Sequence, residues 1–303
     1  MSVFEISWFG PHFGEEPAIS GTKGSGTIFF CRCNLKCVFC QNWQISQPSY
    51  VLRTGGLRKG KEKISCKAVN EIELLKMMFE LQEKGCHNIN LVSPTVWASR
   101  LREVLKTAKK KGLKIPILWN SNAYETVKSL EKLRGLVDIY LPDYKYSQEE
   151  PAIKYSSCPG YPKIASLAIL EMQRQVGDLE VDENGIAKKG LIVRHLILPG
   201  LMENSKKCLD FIRSISDQVH LSLMSQYNPT YRAREFPEIN RVLRKEEFEQ
   251  VLKMVKDLDF KYGWIQEFGG TVKCLNPDFC QENPFYASHS SSVKAKNESC
   301  FSL

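Results

Sequence analysis

IPILWNSNAYETVKSLEKLRGLVDIYLPDYK, residues 115–145, holds one complete strand–helix–strand unit. The apolar run IPILWN reads as a strand, Glu125 to Leu133 as a helix and VDIYLPDYK as the next strand. A strand reached through a helical crossover runs parallel to its predecessor. Upstream, NINLVSPT reads as a buried strand, followed by a helix with Leu101, Val104, Leu105 and Ala108 at helical spacing and Gly112 as its stop. Earlier still, Asn70 with Glu73 three residues on caps a helix that carries Ile72, Leu75, Met78 and Phe79 on one side and ends before Gly85. Downstream come a helix from Ile164 to Val176, a turn at Glu183-Asn184-Gly185, the strand LIVRHLILP, the helix KKCLDFIRSI and the strand VHLSLMSQ. A charged helix from Lys245 to Leu258 and an apolar piece near Trp264 to Phe268 complete the series.

Six or so such units predict a parallel α/β sheet. Right-handed crossovers curl it toward a partial (β/α)6 TIM-type barrel with reactive groups at the carboxyl ends of the strands. A doubly wound open sheet is the alternative. The expected organisation is an N-terminal extension over 1–25, the barrel over 26–268 and a C-terminal extension over 269–303. The polar tail SHSSSVKAKNESCFSL reads as disordered.

The 303 residues are 43% apolar and 25% charged, as in ordinary globular proteins. No apolar run approaches the ~20 residues of a membrane span, and the N-terminus lacks a secretory pattern. A cytoplasmic location is expected. The net charge of +8 does not point to nucleic acid, because lysines such as Lys109, Lys110 and Lys111 close a helix, where cations complement the dipole. Eleven scattered cysteines fit metal ligation in a reducing compartment better than disulfides.

Cys33, Cys37 and Cys40 lie in CNLKCVFC, just after the apolar stretch Thr27 to Phe30. Metal sites of this kind normally take four ligands, so three thiols leave one corner open for a cofactor or substrate. The competing reading is half of a zinc site completed elsewhere, with Cys274 and Cys280 the only other close pair. Cys31 adds a fourth nearby thiol and is expected to be a buried strand cysteine. At the strand ends stand Asn88, Asn90, Ser93 and Thr95, then Asn120, Ser121 and Asn122, then Asp143 and Lys145. The last two are spaced to share a face at the barrel mouth. Arg194 and His195 point oppositely, and pattern does not choose which faces inward. Met224, Gln226 and Tyr227 reach the same rim.

The cysteine motif, together with FGEEPAISGTKGSGTIFF, GCHNINLVSPT, VDIYLPDYKY, EMQRQVG, VRHLILPG and MSQYNP, resembles the radical S-adenosylmethionine superfamily, specifically its pyruvate-formate-lyase-activating-enzyme-like (PflX-type) branch. The similarity covers residues 9 to 268. It implies that Cys33, Cys37 and Cys40 ligate a 4Fe-4S cluster, which cleaves S-adenosyl-L-methionine reductively to a 5'-deoxyadenosyl radical for hydrogen abstraction. It places Phe39 near the adenine, makes Asp143-x-Lys145 similar to a DxK element around the cofactor, and makes Asn120-Ser121-Asn122 similar to a DTN segment, with Asn120 in place of the acid. Ser93-Pro94-Thr95 stands where activating enzymes carry Gly-Gly-Glu to receive the cofactor amino group. Arg194, Asn120 and Gln226 are further candidates for holding cofactor or substrate. The implied partners are an external flavodoxin- or ferredoxin-like one-electron reductant and a glycyl radical protein substrate. A small molecule or RNA as substrate, or a non-catalytic iron–sulfur or zinc protein, are the alternatives.

Overall fold

The computed structural model describes residues 3–47, 66–269 and 277–285. Ten strands form one sheet: β1 (Val3–His12), β2 (Ser25–Phe30), β3 (Lys67–Asn70), β4 (Ile89–Val92), β5 (Ile117–Ser121), β6 (Ile139–Pro142), β7 (Glu180–Val181), β8 (Ala187–Leu196), β9 (His220–Met224) and β10 (Tyr262–Ile265). Among them run α1 (Pro17–Ser20), α2 (Trp43–Ser46), α3 (Glu71–Glu83), α4 (Ala98–Lys110), α5 (Val127–Glu131), α6 (Glu149–Ser156), α7 (Tyr161–Val176), α8 (Met202–Arg213) and α9 (Lys245–Asp257).

The strand order is β10-β9-β8-β6-β5-β4-β2-β1-β3. Along this path every neighbouring pair from β2 to β10 is parallel and each new strand joins the same growing edge, while β7 lies off the path, antiparallel to β8. A doubly wound sheet reverses direction at a switch point; this one does not, so it curls as a barrel must. The parallel set numbers seven strands, one more than six units require. The barrel stays open because β1, antiparallel to β2, and β3, antiparallel to β1, occupy one edge. Residues 3–20, within the stretch read as an extension, thus supply a sheet strand and a short helix.

Two apolar layers follow. The larger lies between sheet and helices and includes Leu101, Val104, Leu105 and Ala108 of α4 and Leu74, Leu75, Met78 and Leu81 of α3. Asn70 and Glu73 form the expected capping box, but Ile72 is 66% exposed and Phe79 only half-buried, a correction to the expected face. The smaller layer is the barrel floor, where Ala18 and Ile19 of α1 meet Leu118, Ile139, Leu141 and Ile192. α1 plugs the lumen, and the chain just before it, Glu15 and Glu16, forms the base of the space above.

Cys31 is not a free strand thiol: it is bonded to Cys66. Ile6 of β1 pairs with both Phe30 and Lys67, so the residues next to those partners meet around β1 with their Cα atoms 6.2 Å apart. The preference for ligation over disulfides fails at this pair. Among the described residues no helix is long and apolar enough to cross a membrane. Cys274 and the serine-rich tail lie outside the described residues.

Candidate active site

The thiol loop leaves β2 at the carboxyl end of the sheet and is pinned by its backbone. Cys33 N donates to Ser46 O at 3.1 Å, Lys36 N to Ser156 O at 3.0 Å and Val38 N to Tyr155 O at 2.9 Å. α2 and the end of α6 therefore fix where the three sulfurs stand. Each sulfur has a polar neighbour. Cys33 Sγ accepts from Leu35 N at 3.4 Å and Asn122 Nδ2 at 3.3 Å. Cys37 Sγ accepts from Ser156 Oγ at 2.9 Å. With Ser156's one proton so used, the 2.7 Å contact between Tyr146 and Ser156 has Tyr146 as donor. Cys40 Sγ lies 3.4 Å from Ser46 Oγ.

Burial pushes the Cys33 thiol up to about 11 and the Cys40 thiol to about 12, with the mutual repulsion of the three sulfurs adding to it. Burial also raises Cys37, against the pull of Lys145 and Ser156. Such thiols become thiolates when a metal takes the charge. Among the described residues no three His, Cys, Asp or Glu side chains converge on a single ion. A 4Fe-4S cluster distributes its cysteines over separate irons, and three clustered thiols with N–H and O–H donors on sulfur fit that group.

Beside them, Lys145 Nζ donates to Asp143 Oδ2 at 2.6 Å and Arg194 Nε to Asp143 Oδ1 at 2.7 Å. Burial pushes the Asp143 carboxyl up, but Arg194 and Lys145 more than offset it and hold it below the usual range. Arg194 faces the lumen and also donates to Glu15 Oε2 at 3.2 Å and Asn120 Oδ1 at 2.5 Å. His195 points the other way into the packed layer. Its Nδ1 is 2.9 Å from Tyr144 O and its Nε2 3.0 Å from Ser205 Oγ, and burial pushes it down to about 4.

Under the thiol loop opens a cavity of about 380 Å³ whose walls include Glu15, Glu16, Asn120, Arg194, Ser222 and Gln226. Of the sequence candidates, Asn120, Arg194, Met224 and Gln226 reach it directly. Asn122 and Lys145 sit instead with the thiols, and Phe39 is buried against Tyr227 with ring centroids 5.6 Å apart. Ser93 takes a left-handed backbone, φ 58°, and its N–H donates to Asn120 O at 3.0 Å. Thr95 Oγ1 is buried, with the Glu125 carboxyl as its polar neighbour. Glu15, Glu16, Tyr146 and Ser156 were not singled out from the sequence. The available signal for the first two was an acid pair directly before the apolar PAIS, a poor surface pattern and a good lumen one.

An open parallel barrel with a thiol loop at its mouth is the fold of the radical S-adenosylmethionine enzymes. SuiB of Streptococcus suis, solved with its precursor peptide SuiA, matches with a TM-score of 0.51 at 14% identity over 80% of this chain and 47% of SuiB. The FeFe-hydrogenase maturase HydG of Carboxydothermus hydrogenoformans matches at 0.50 and 13% over 80% of this chain and 53% of HydG. This chain spans about half the length of those solved chains, which establish the fold alone. No family model matches. The chain is 35% identical over 256 residues to the uncharacterized protein MJ0674 of Methanocaldococcus jannaschii, 83% of this chain and 67% of the relative, and belongs to that protein's family.

Proposed function

We propose that this protein is a cytoplasmic radical S-adenosylmethionine enzyme in which Cys33, Cys37 and Cys40 ligate a 4Fe-4S cluster over the lumen cavity. The supporting observation is the gathering of three thiols, with hydrogen-bond donors on their sulfurs and the Lys145 cation beside them. When bound, the cluster supplies the electron that cleaves the cofactor's sulfonium and starts hydrogen abstraction. The protein's part is to orient, to balance charge and to exclude water. Lys145 offsets negative charge on the sulfurs. Arg194 engages three of its five N–H groups with Asp143, Glu15 and Asn120, leaving two for a carboxylate. Asn120 and Gln226 line the cavity, and Asn122, Ser93, Thr95 and Phe39 are further residues assigned to the cofactor in this reading. Activation of a glycyl radical protein is the finer reading, with electrons from a flavodoxin- or ferredoxin-like donor.

Anaerobic reconstitution with iron and sulfide, then S-adenosylmethionine and a strong one-electron reductant, tests the reading. We expect 5'-deoxyadenosine from the wild type and background levels from Cys37→Ala. Tight zinc without cluster absorbance would overturn it. Glycyl-radical EPR on a mixed candidate protein tests the finer reading, and its absence with 5'-deoxyadenosine still formed rejects that part alone.

A further inference from the structure

Glu15 and Glu16 are neighbours in sequence, yet their carboxylates are in different states. Glu15 is fully engaged: Oε1 accepts from Asn90 Nδ2 at 2.8 Å and Oε2 from Arg194 at 3.2 Å. Glu16 lines the same cavity and is 9% exposed; Ser222 is the polar side chain beside its carboxyl, and its Oε2 has no hydrogen-bond partner. A second buried acceptor without a partner, Oδ1 of Asn90, belongs to the amide that holds Glu15. Leaving a buried acceptor unpaired is costly, and a carboxylate more so. Burial raises the Glu16 carboxyl and Glu15 raises it further, against the pull of Arg194.

The charge balance points the same way. In the lumen Glu15 and Glu16 share the Arg194 cation, which is also bonded to Asp143, while Lys145 sits with Asp143 beside the thiols. Arg194 places its hydrogen bonds on Asp143, Glu15 and Asn120, so Glu16 feels the guanidinium charge without a direct bond to it. The location is deep: Glu16 adjoins α1, whose Ala18 and Ile19 form the apolar floor, whereas the thiols stand at the mouth. A group reaching Glu16 enters past the cofactor's place.

Resting on the function proposed above, we infer that the lumen cavity selects a substrate group bearing a cationic nitrogen, an alkylammonium or guanidinium, and that Glu16 is the residue that receives it. The inference concerns binding and requires no covalent step.

Calorimetric titration of the reconstituted protein with n-butylammonium, butyrate and n-butanol at constant ionic strength tests it. We expect butylammonium to bind at least tenfold more tightly than the other two, and Glu16→Gln to remove that preference. Glu16→Gln should melt at or above the wild-type temperature, because a buried carboxylate with one oxygen unpartnered is a cost that neutralisation reduces. A lower melting temperature would make Glu16 a structural residue and overturn the inference, as would equal binding of the three probes. S-adenosylmethionine titrated into both proteins separates the sources of nitrogen: equal affinity supports a substrate group, whereas a tenfold loss in Glu16→Gln assigns the site to the cofactor's own ammonium and overturns it. Loss of cluster and of 5'-deoxyadenosine in the wild type would defeat the proposed function without touching these probe affinities.

Discussion

Arg194 and His195 leave β8 on opposite sides, and alternation alone is blind to which is which, because Ile192 and Leu196 are as apolar as Val193 and Ile197. The neighbours decide. Arg194 finds Asp143, Glu15 and Asn120 in the lumen, and all three come from outside its own strand: the end of β6, the segment before α1 and β5. Asp143 and Lys145 were legible because both lie on one short stretch, where a spacing of two fixes a shared face. His195, directed outward, donates from Nδ1 to the Tyr144 carbonyl and accepts from Ser205, which requires the neutral ring. Its folded pKa, about 4, lies below the ordinary 6.5, so its contribution is complete above pH 6.5 and is lost as pH falls through 4. The wild type should lose about 2–3 kcal/mol relative to His195→Gln between pH 7.5 and 4.5. Urea titrations of both proteins at the two pH values measure this, and parallel pH profiles would refute it.

At the scale of elements, α4 was legible residue by residue and α3 only in its ends. The Asn70 and Glu73 capping box is a local signal and forms as read. The buried face was misread because EIELLKMMFELQE offers two apolar stripes, one through Ile72, Leu75 and Phe79 and one through Leu74, Met78 and Leu81. Packing against the sheet buries the second together with Leu75, so Leu75 and Met78 are buried as expected and Ile72 and Phe79 are not; a helical period cannot make that choice by itself. Leu74→Ala should therefore cost about 2–5 kcal/mol, while Ile72→Lys stays within about 0.5 kcal/mol of the wild type. Asn70→Ala, losing its bonds to the Ile72 and Glu73 N–H groups at 2.9 and 3.0 Å, should cost about 1 kcal/mol. Chemical denaturation of the three variants gives the order, and a destabilised Ile72→Lys would contradict the observed face.

For the molecule as a whole, the sheet's failure to close creates a problem that the chain solves with its far end. β1 and β3 fill one edge instead of pairing with β10, and the side of the cavity is covered by residues 277–285. Phe279 is buried with Phe29, Cys31, Ile45 and Val92, and Phe285 packs on Phe29, Trp8 and His12. Gln44, four residues past the last thiol, fastens this strap: Nε2 donates to Asp278 Oδ1 and Oε1 accepts from Phe279 N, both at 2.9 Å. These partners are 234 and 235 residues apart and the strap is irregular, so no period or spacing could expose the contact in the sequence, where only the local strand–helix rhythm was readable. The strap adjoins the thiol loop through Gln44 and the cavity through Pro277 and Phe285, so its release should open the lumen to water without unfolding the barrel. Gln44→Ala removes both of these hydrogen bonds and the 3.3 Å one from Nε2 to Cys280 Sγ yet leaves the Phe279 pocket, and Phe279→Ala empties the pocket at a cost of about 3–5 kcal/mol if the strap and barrel unfold together. Limited proteolysis distinguishes the cases: both variants should be cut within 277–285 at least tenfold faster than the wild type, with the 66–269 body intact. Equal cutting rates would mean that the strap is not held by these contacts. Loss of the body at the same rate as the strap would mean that it is an inseparable part of the barrel core.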